Sequence, residues 1–175
     1  MTQASLDRGR TAEREVARRL TAWGQPFYTF RRRGLGHAGV ADLVVTPREG
    51  MPAWPWTISI KARARRAPTL ATMFHAAAAG TPWAWWQEAI ASVPPERVWL
   101  IWKVAGGTWL LSCDGLWGVA TPVRLALLPP PPGWPRFTLW LNELLSTVPV
   151  IAMLESIRTL DETLAPALLP GPRHG

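Results

Sequence analysis

Asp42, Ser59 and Lys61 are the residues whose types and spacing point most directly to chemistry. Asp42 opens the short run Asp42-Leu43-Val44-Val45, which stops at Thr46-Pro47. A second run, Trp56-Thr57-Ile58-Ser59-Ile60-Lys61, alternates polar and apolar residues with the period of a strand. That period places Thr57, Ser59 and Lys61 on one face and Ile58 and Ile60 on the other. If the two runs are neighbours, a carboxylate and an ammonium meet on a sheet surface. Lys61 and Lys103 are the only lysines in the chain, whose other basic residues are Arg. Lysine is a compact point charge whose pKa falls on burial, whereas Arg stays charged, so a lysine kept here is a hint of chemistry.

The elements that must position these residues follow from the rest of the chain. A length of 175 residues suits one domain with an appended arm, large enough to bury a core. The net charge of +7 is uneven. Residues 1–75 hold 13 Arg/Lys against 5 Asp/Glu, whereas residues 76–175 hold 6 against 7. A basic half beside a neutral one points to a polyanion-binding face, and nucleic acid is the expected polyanion. No apolar run is long enough to span a bilayer. The N-terminus meets Asp7 and several Arg before any apolar stretch, unlike a secretory signal. The single Cys113 fits a reducing compartment, so a cytoplasmic location is expected.

Ala12, Val16, Leu20 and Trp23 recur at the helical interval and predict a helix over 6–23, capped by Ser5 or Asp7 and closed by Gly24. Its opposite face carries Arg8, Arg10, Arg14 and Arg18, and Glu13 borders the apolar stripe. Gln25 to Phe30 reads as a strand, followed by the basic, Gly-rich loop 31–39 with Arg31, Arg32, Arg33 and His37. A loop of this kind can bring backbone close to a phosphate. Thr81-Pro82 opens a helix to Ala91 with Trp83, Trp86 and Ile90 on one side and Glu88 on another. Glu96 to Val104 and Thr108 to Cys113 form a hairpin that is apolar on both faces, hence central or covered. Leu128 to Gly133 is a stiff Pro-rich spacer, with helices expected over 137–145 and 150–160 and a disordered end to the tail. Most of the 12 Trp belong to the core or an interface, with Trp54 or Trp56 as candidates for stacking on bases.

The expected order, helix, three strands, helix, two strands, resembles the restriction-endonuclease-like (PD-(D/E)XK) fold. More narrowly, residues 8–66 are similar to the archaeal-type and phage-encoded Holliday-junction resolvases. Gly9-Arg10-Thr11-Ala12-Glu13-Arg14-Glu15-Val16 matches that family's opening motif, a basic Gly-rich loop precedes Asp42, and Ser59-Ile60-Lys61 stands at its Glu-x-Lys. The resemblance implies an α/β fold with a mixed central sheet of about five strands flanked by helices and a C-terminal helical extension. It divides the chain into a nuclease-like core (1–125), a Pro-rich spacer with C-terminal helices (126–163) and a tail (164–175).

The implied activity is Mg²⁺-dependent endonucleolytic hydrolysis of branched DNA, with Mn²⁺ as a substitute, by a homodimer cutting four-way junctions. Hard divalent cations held by carboxylates activate water and neutralise phosphate, with a lysine beside the attacking water. By resemblance Glu13, Asp42 and the Ile60 carbonyl hold metal, and Lys61 orients or deprotonates the nucleophile. Arg8, Arg10, Arg31, Arg32, Arg33, Arg63, Arg65 and Arg66 are the expected DNA contacts. Ser59 replaces the family's second carboxylate, and Leu35 stands where many relatives have a loop Ser. Three readings of Ser59 stay open: a site working with Glu13 and Asp42 alone, a carboxylate supplied instead by Glu88, or an inactive site. The alternatives are a flap or restriction-type nuclease, a non-catalytic branched-DNA-binding protein of this fold, and a structural interaction protein.

Overall fold

The computed structural model describes residues 3–34, 41–62, 80–104, 107–114, 132–135 and 137–155. Helix α1 (Gln3–Gly24) starts earlier than a cap at Ser5 or Asp7 would set it. It buries Ala12, Val16 and Leu20, the stripe read from the sequence. Gly24 ends the helix against the aromatic core: a Cβ there would lie 2.8 Å from the Phe30 ring. The turn that follows is closed by Gln25 N–H donating to the Thr21 carbonyl (3.0 Å) and Phe27 N–H to the Gly24 carbonyl (2.8 Å). These bonds occupy residues 25–27, so strand β1 is Tyr28–Arg32 instead of Gln25–Phe30. Arg31 and Arg32 are therefore strand residues, not loop residues.

β1 pairs antiparallel with β2 (Leu43–Pro47), from Tyr28↔Pro47 to Arg32↔Leu43. β3 (Thr57–Lys61), β4 (Val98–Lys103), β5 (Trp109–Cys113) and β6 (Phe137–Trp140) form a second, four-stranded sheet in that order. β3 and β4 are parallel, and the other pairs are antiparallel. The architecture is thus α/β with mixed pairing. The expected sheet of about five strands is divided into two sheets among the described residues.

Alternation along β4 sorts its side chains to two cores. Trp99 and Ile101 join Val16, Leu20, Ile58, Ile60 and Leu111 on the α1 side. Val98, Leu100 and Trp102 join Trp85, Trp86 and Ala89 on the side of helix α2 (Pro82–Ile90). The hairpin that looked apolar on both faces is covered on both faces, in a helix–sheet–helix layering. The α2 start is as expected: Pro82 in the first turn and Thr81 as N-cap, its hydroxyl accepting from Ala84 N–H. The buried residues of α2 are Pro82, Trp85, Trp86 and Ala89, so Trp85 and not Trp83 joins Trp86 in the core.

The helix expected over 137–145 divides into β6 and helix α3 (Leu141–Thr147). Tertiary partners override the local helical pattern here. Thr138 pairs with Ser112 across β5–β6, their hydroxyls 3.1 Å apart. The indoles of Trp102 and Trp134 donate to Ser112 Oγ (3.0 Å) and Thr138 Oγ1 (3.1 Å). Residues 150–155 are helical, and the remainder of the helix expected to 160, with the tail, lies outside the described residues. So do positions 128–131 of the Pro-rich spacer.

Trp54 and Trp56 are core residues, not stacking platforms. Trp54 packs within 5.0–6.1 Å of Trp23, Tyr28, Phe30, Trp56 and Trp99, and Trp56 stacks on Trp99 at 5.0 Å. An indole spent in this cluster has no face left for a base. Because Phe30 is held by the Trp54 ring, Gly24→Ala cannot be relieved by a free rotation. It is expected to destabilise the fold by about 1–3 kcal/mol despite the better helix propensity of Ala, a loss measurable by urea denaturation.

Candidate functional site

Asp42 lies immediately before β2 and joins the two sheets. Its N–H donates to the Ile58 carbonyl (2.8 Å), and its carbonyl accepts from Arg33 N–H (2.9 Å). Its carboxylate Oδ2 accepts a short hydrogen bond from Ile60 N–H (2.6 Å) and a longer one from Ser59 Oγ (3.4 Å). The two runs are therefore neighbours, linked through this one residue and not by a ladder. Within a strand the N–H and C=O of one residue leave on the same edge. The Ile60 carbonyl thus faces the Asp42 edge of β3, where an oxygen ligand was expected.

Glu13 approaches from α1. Arg32 Nη1 stands 3.7 Å from Glu13 Oε2. Burial, then the charge of Asp42, raise the Glu13 pKa above its ordinary value, against the opposing pull of Arg32 and Arg10. Burial likewise raises Asp42, opposed by the Ile60 amide, by Lys61 and by Ser59, while Glu88 pushes it further up. The two shifts have a common largest cause, burial, and each has a further raising charge, Asp42 for Glu13 and Glu88 for Asp42.

Lys61 points to the α2 side, where its Nζ is 3.4 Å from Glu88 Oε2. The Glu88 side chain is 66% exposed, so it is a surface partner of Lys61 and is not inserted between Glu13 and Asp42. Ser59 is buried, with its hydroxyl against Asp42. Glu13, Asp42, Ser59 and Lys61 are thus brought together, with Glu88 at the margin. Arg32 serves Glu13, Arg31 is exposed, and Arg10 is within 3.6 Å of Asp7. Arg8 lies on α1. Loop positions 35–40, including Leu35 and His37, and Arg63, Arg65 and Arg66 lie outside the described residues.

Sequence reasoning missed a second polar cluster. Glu15 accepts from Trp109 Nε1 (2.9 Å), Lys103 Nζ (3.3 Å) and Arg19 Nη2 (2.9 Å). These donors hold its carboxyl below the ordinary value against the effect of burial. The Glu15–Arg19 pair was legible from its four-residue spacing, whereas contacts to Lys103 and Trp109 cross most of the fold.

Among the described residues, no group of three or more His, Cys, Asp or Glu side chains is arranged to hold a metal ion. Two carboxylates, a strand carbonyl and a hydroxyl are nonetheless all hard oxygen donors. Mg²⁺ is commonly held by one or two carboxylates with several waters retained. The Asp42 charge that raises Glu13 is a feature a divalent cation would relieve, so the donor types are compatible with one. No family model, curated protein or solved structure matches the chain. No helix among the described residues is long and apolar enough to cross a membrane.

A carboxyl raised by folding stabilises the fold below its unfolded pKa, and that contribution is lost as pH rises through the folded value. In metal-free buffer Asp42→Asn is therefore expected to raise the melting temperature at pH 7. The gain should shrink as pH falls through the carboxylate range, around pH 4. Asn keeps an oxygen for the Ile60 amide, so the comparison isolates the charge facing Glu13, Glu88, Lys61 and Arg32. Thermal melts at the two pH values measure it.

Proposed function

We propose that the protein is a divalent-metal-dependent, structure-selective DNA endonuclease that hydrolyses phosphodiesters at four-way junctions as a homodimer. The observation that carries this reading is the Asp42 carboxylate anchored on the Ile60 amide, with Glu13 on one side and Lys61 one residue further along β3. The order α1-β1-β2-β3-α2-β4, with β3 and β4 parallel, supports the restriction-endonuclease-like topology implied by the sequence resemblance.

In this reading Asp42, Glu13 and the Ile60 carbonyl hold Mg²⁺, with the Ser59 hydroxyl holding Asp42 in place. When bound, the cation supplies charge neutralisation at the phosphate and a water ionised nearer to neutral pH. Lys61 donates to the attacking water or to a phosphate oxygen as negative charge develops there. Arg32, already beside Glu13, would be the cation nearest that carboxylate to meet a bound phosphate. Glu88 acts through Lys61 by fixing the ammonium, and not as a metal donor. Paired cuts across a junction need two such sites, hence the dimer.

Purified protein with a synthetic four-way junction and Mg²⁺ or Mn²⁺ should give paired incisions. Lys61→Ala should lower the rate by about 10²–10³-fold, the scale for removing one charge-stabilising donor. Silence of both the wild type and Ser59→Glu on junction, flap and linear duplex, with either metal, would sink the nuclease reading. That outcome would favour a non-catalytic branched-DNA-binding protein. The neutral Ser59 beside Asp42, and the lack of a three-ligand cluster among the described residues, are the observations on its side. It predicts junction binding indifferent to metal and to Asp42→Asn.

The role of Glu88 separates the two active-site readings. Glu88→Gln should leave the Mn²⁺ concentration for half-maximal cleavage unchanged while slowing turnover, whereas Glu13→Gln should raise that concentration. A matching rise for Glu88→Gln would instead make Glu88 the missing ligand. Metal titrations of cleavage rate give the answer.

A further inference from the structure

The solvent face of α1 carries a charge pattern that the site does not use. Arg10, Arg14 and Arg18 are spaced four residues apart, which sets them on one stripe advancing about 6 Å per step along the helix. Arg14 and Arg18 are exposed and make no ion pair among the described residues, and Arg10 is partly exposed beside Asp7. The other carboxylates of α1 are turned elsewhere, Glu13 to Arg32 and Glu15 to Lys103 and Trp109. Arg19 is likewise engaged, with Glu15 and Asn142. The stripe is therefore not neutralised along most of its length.

It also has a direction. Arg10 lies three residues before Glu13 on α1, hence beside it on the helix surface, and Glu13 in turn lies against Arg32, the β1 residue paired with Leu43, which follows Asp42. The stripe runs from Arg18 through Arg14 to Arg10 and ends at the carboxylate pair. Exposed Arg31 on β1 stands next to Phe30, whose carbonyl and amide are both bonded to the Thr21 hydroxyl of α1. The basic surface of β1 is thus fastened beside the C-terminal half of the same helix.

We infer that α1 is a rail for one strand of DNA backbone, with Arg10, Arg14 and Arg18 as its phosphate contacts, leading the strand toward Glu13 and Asp42. This rests on the DNA-cleaving reading and extends it to residues outside the site. Steps of about 6 Å are close to the advance of two phosphates along one strand of a duplex, about 6.8 Å at one charge per 3.4 Å. An anionic lipid surface offers similar charge, but an interfacial helix needs an apolar face to insert. The apolar face of α1 is already buried on the sheet through Ala12, Val16 and Leu20.

The test is fluorescence anisotropy of the full-length protein with a labelled four-way junction across a KCl series in EDTA. Loss of two phosphate contacts in Arg14→Gln/Arg18→Gln should reduce the slope of log K against log salt by about 1.4–1.8. Arg48→Gln, an exposed arginine beyond β2, should leave the slope unchanged. Equal melting temperatures for all three proteins are expected, since none of these side chains is buried. A double variant with the wild-type slope would overturn the rail while leaving the nuclease reading standing. Equal losses in Arg48→Gln would reduce the effect to net charge and overturn it too. Wild-type protein that binds phosphatidylserine vesicles through Arg14 and Arg18 but no DNA would overturn both.

Discussion

The structure depends on one contact: the junction between two sheets at Asp42. β1 and β2 do not share a ladder with β3. Both sheets share one apolar core, and what joins them by hydrogen bonds is the Asp42 main chain, donating to Ile58 and accepting from Arg33, and the Asp42 carboxylate on the Ile60 amide. A carboxylate that closes a sheet junction is fixed by backbone geometry, so its position does not wait for a ligand to order it. The same bond places it one residue from Lys61 and leaves the Ile60 carbonyl on its side of β3. Any residue at position 42 without an acceptor oxygen would leave a partly buried amide unsatisfied.

This arrangement carries a charge cost that the remainder of the fold must offset. Asp42 and Glu13 are both pushed up by burial and by neighbouring negative charge. Among the described residues, the indole N–H groups of Trp54, Trp56 and Trp99 are buried with no protein acceptor. Against these stand two apolar cores, one on each face of the four-stranded sheet, dense in aromatic area. A fold that retains two partly desolvated carboxylates beside large aromatic burial carries its stability in the two cores and a charge cost at the edge of β3 that Asp42 meets. That distribution is common where a site has been kept for function.

The parts legible in the sequence were those decided by local pattern. Val16 and Leu20 at helical spacing, Thr81-Pro82 as a helix start, and the alternating β4–β5 hairpin each carry enough information within a dozen residues. Glu13, Asp42 and Lys61 were singled out by motif order, and in the structure the Asp42 charge acts on Glu13 and the Lys61 charge acts on Asp42. What could not be read depends on partners far along the chain. Thr138 lies in a strand because Ser112, 26 residues earlier, pairs with it and meets its hydroxyl, and nothing adjacent to Thr138 announces that. β1 begins three residues late because turn bonds claim residues 25–27. Trp54 resembled a stacking residue only until Trp23, Phe30 and Trp99 surrounded it.

The two lysines show how the missed cluster bears on the one that was foreseen. Each is paired with a glutamate, Lys61 with Glu88 and Lys103 with Glu15. Glu13 and Glu15 are two residues apart on α1, hence about 200° apart around it. Three donors fix Glu15: the Trp109 indole, Lys103 and Arg19. Fixing one side of a helix fixes its rotation, and that rotation aims Glu13 at Arg32 and Asp42 on the other side. Arg19 continues the link to Asn142 of α3 (2.6 Å), and the Trp23 indole donates to the Val148 carbonyl (2.8 Å). The C-terminal elements, which the motif does not reach, therefore hold the helix whose orientation the site requires. Glu15 belongs to the same Glu-Arg-Glu sequence as Glu13, and the structure gives the two distinct settings: one carboxylate faces Arg32 and the charge of Asp42, and the other sets the angle at which it arrives.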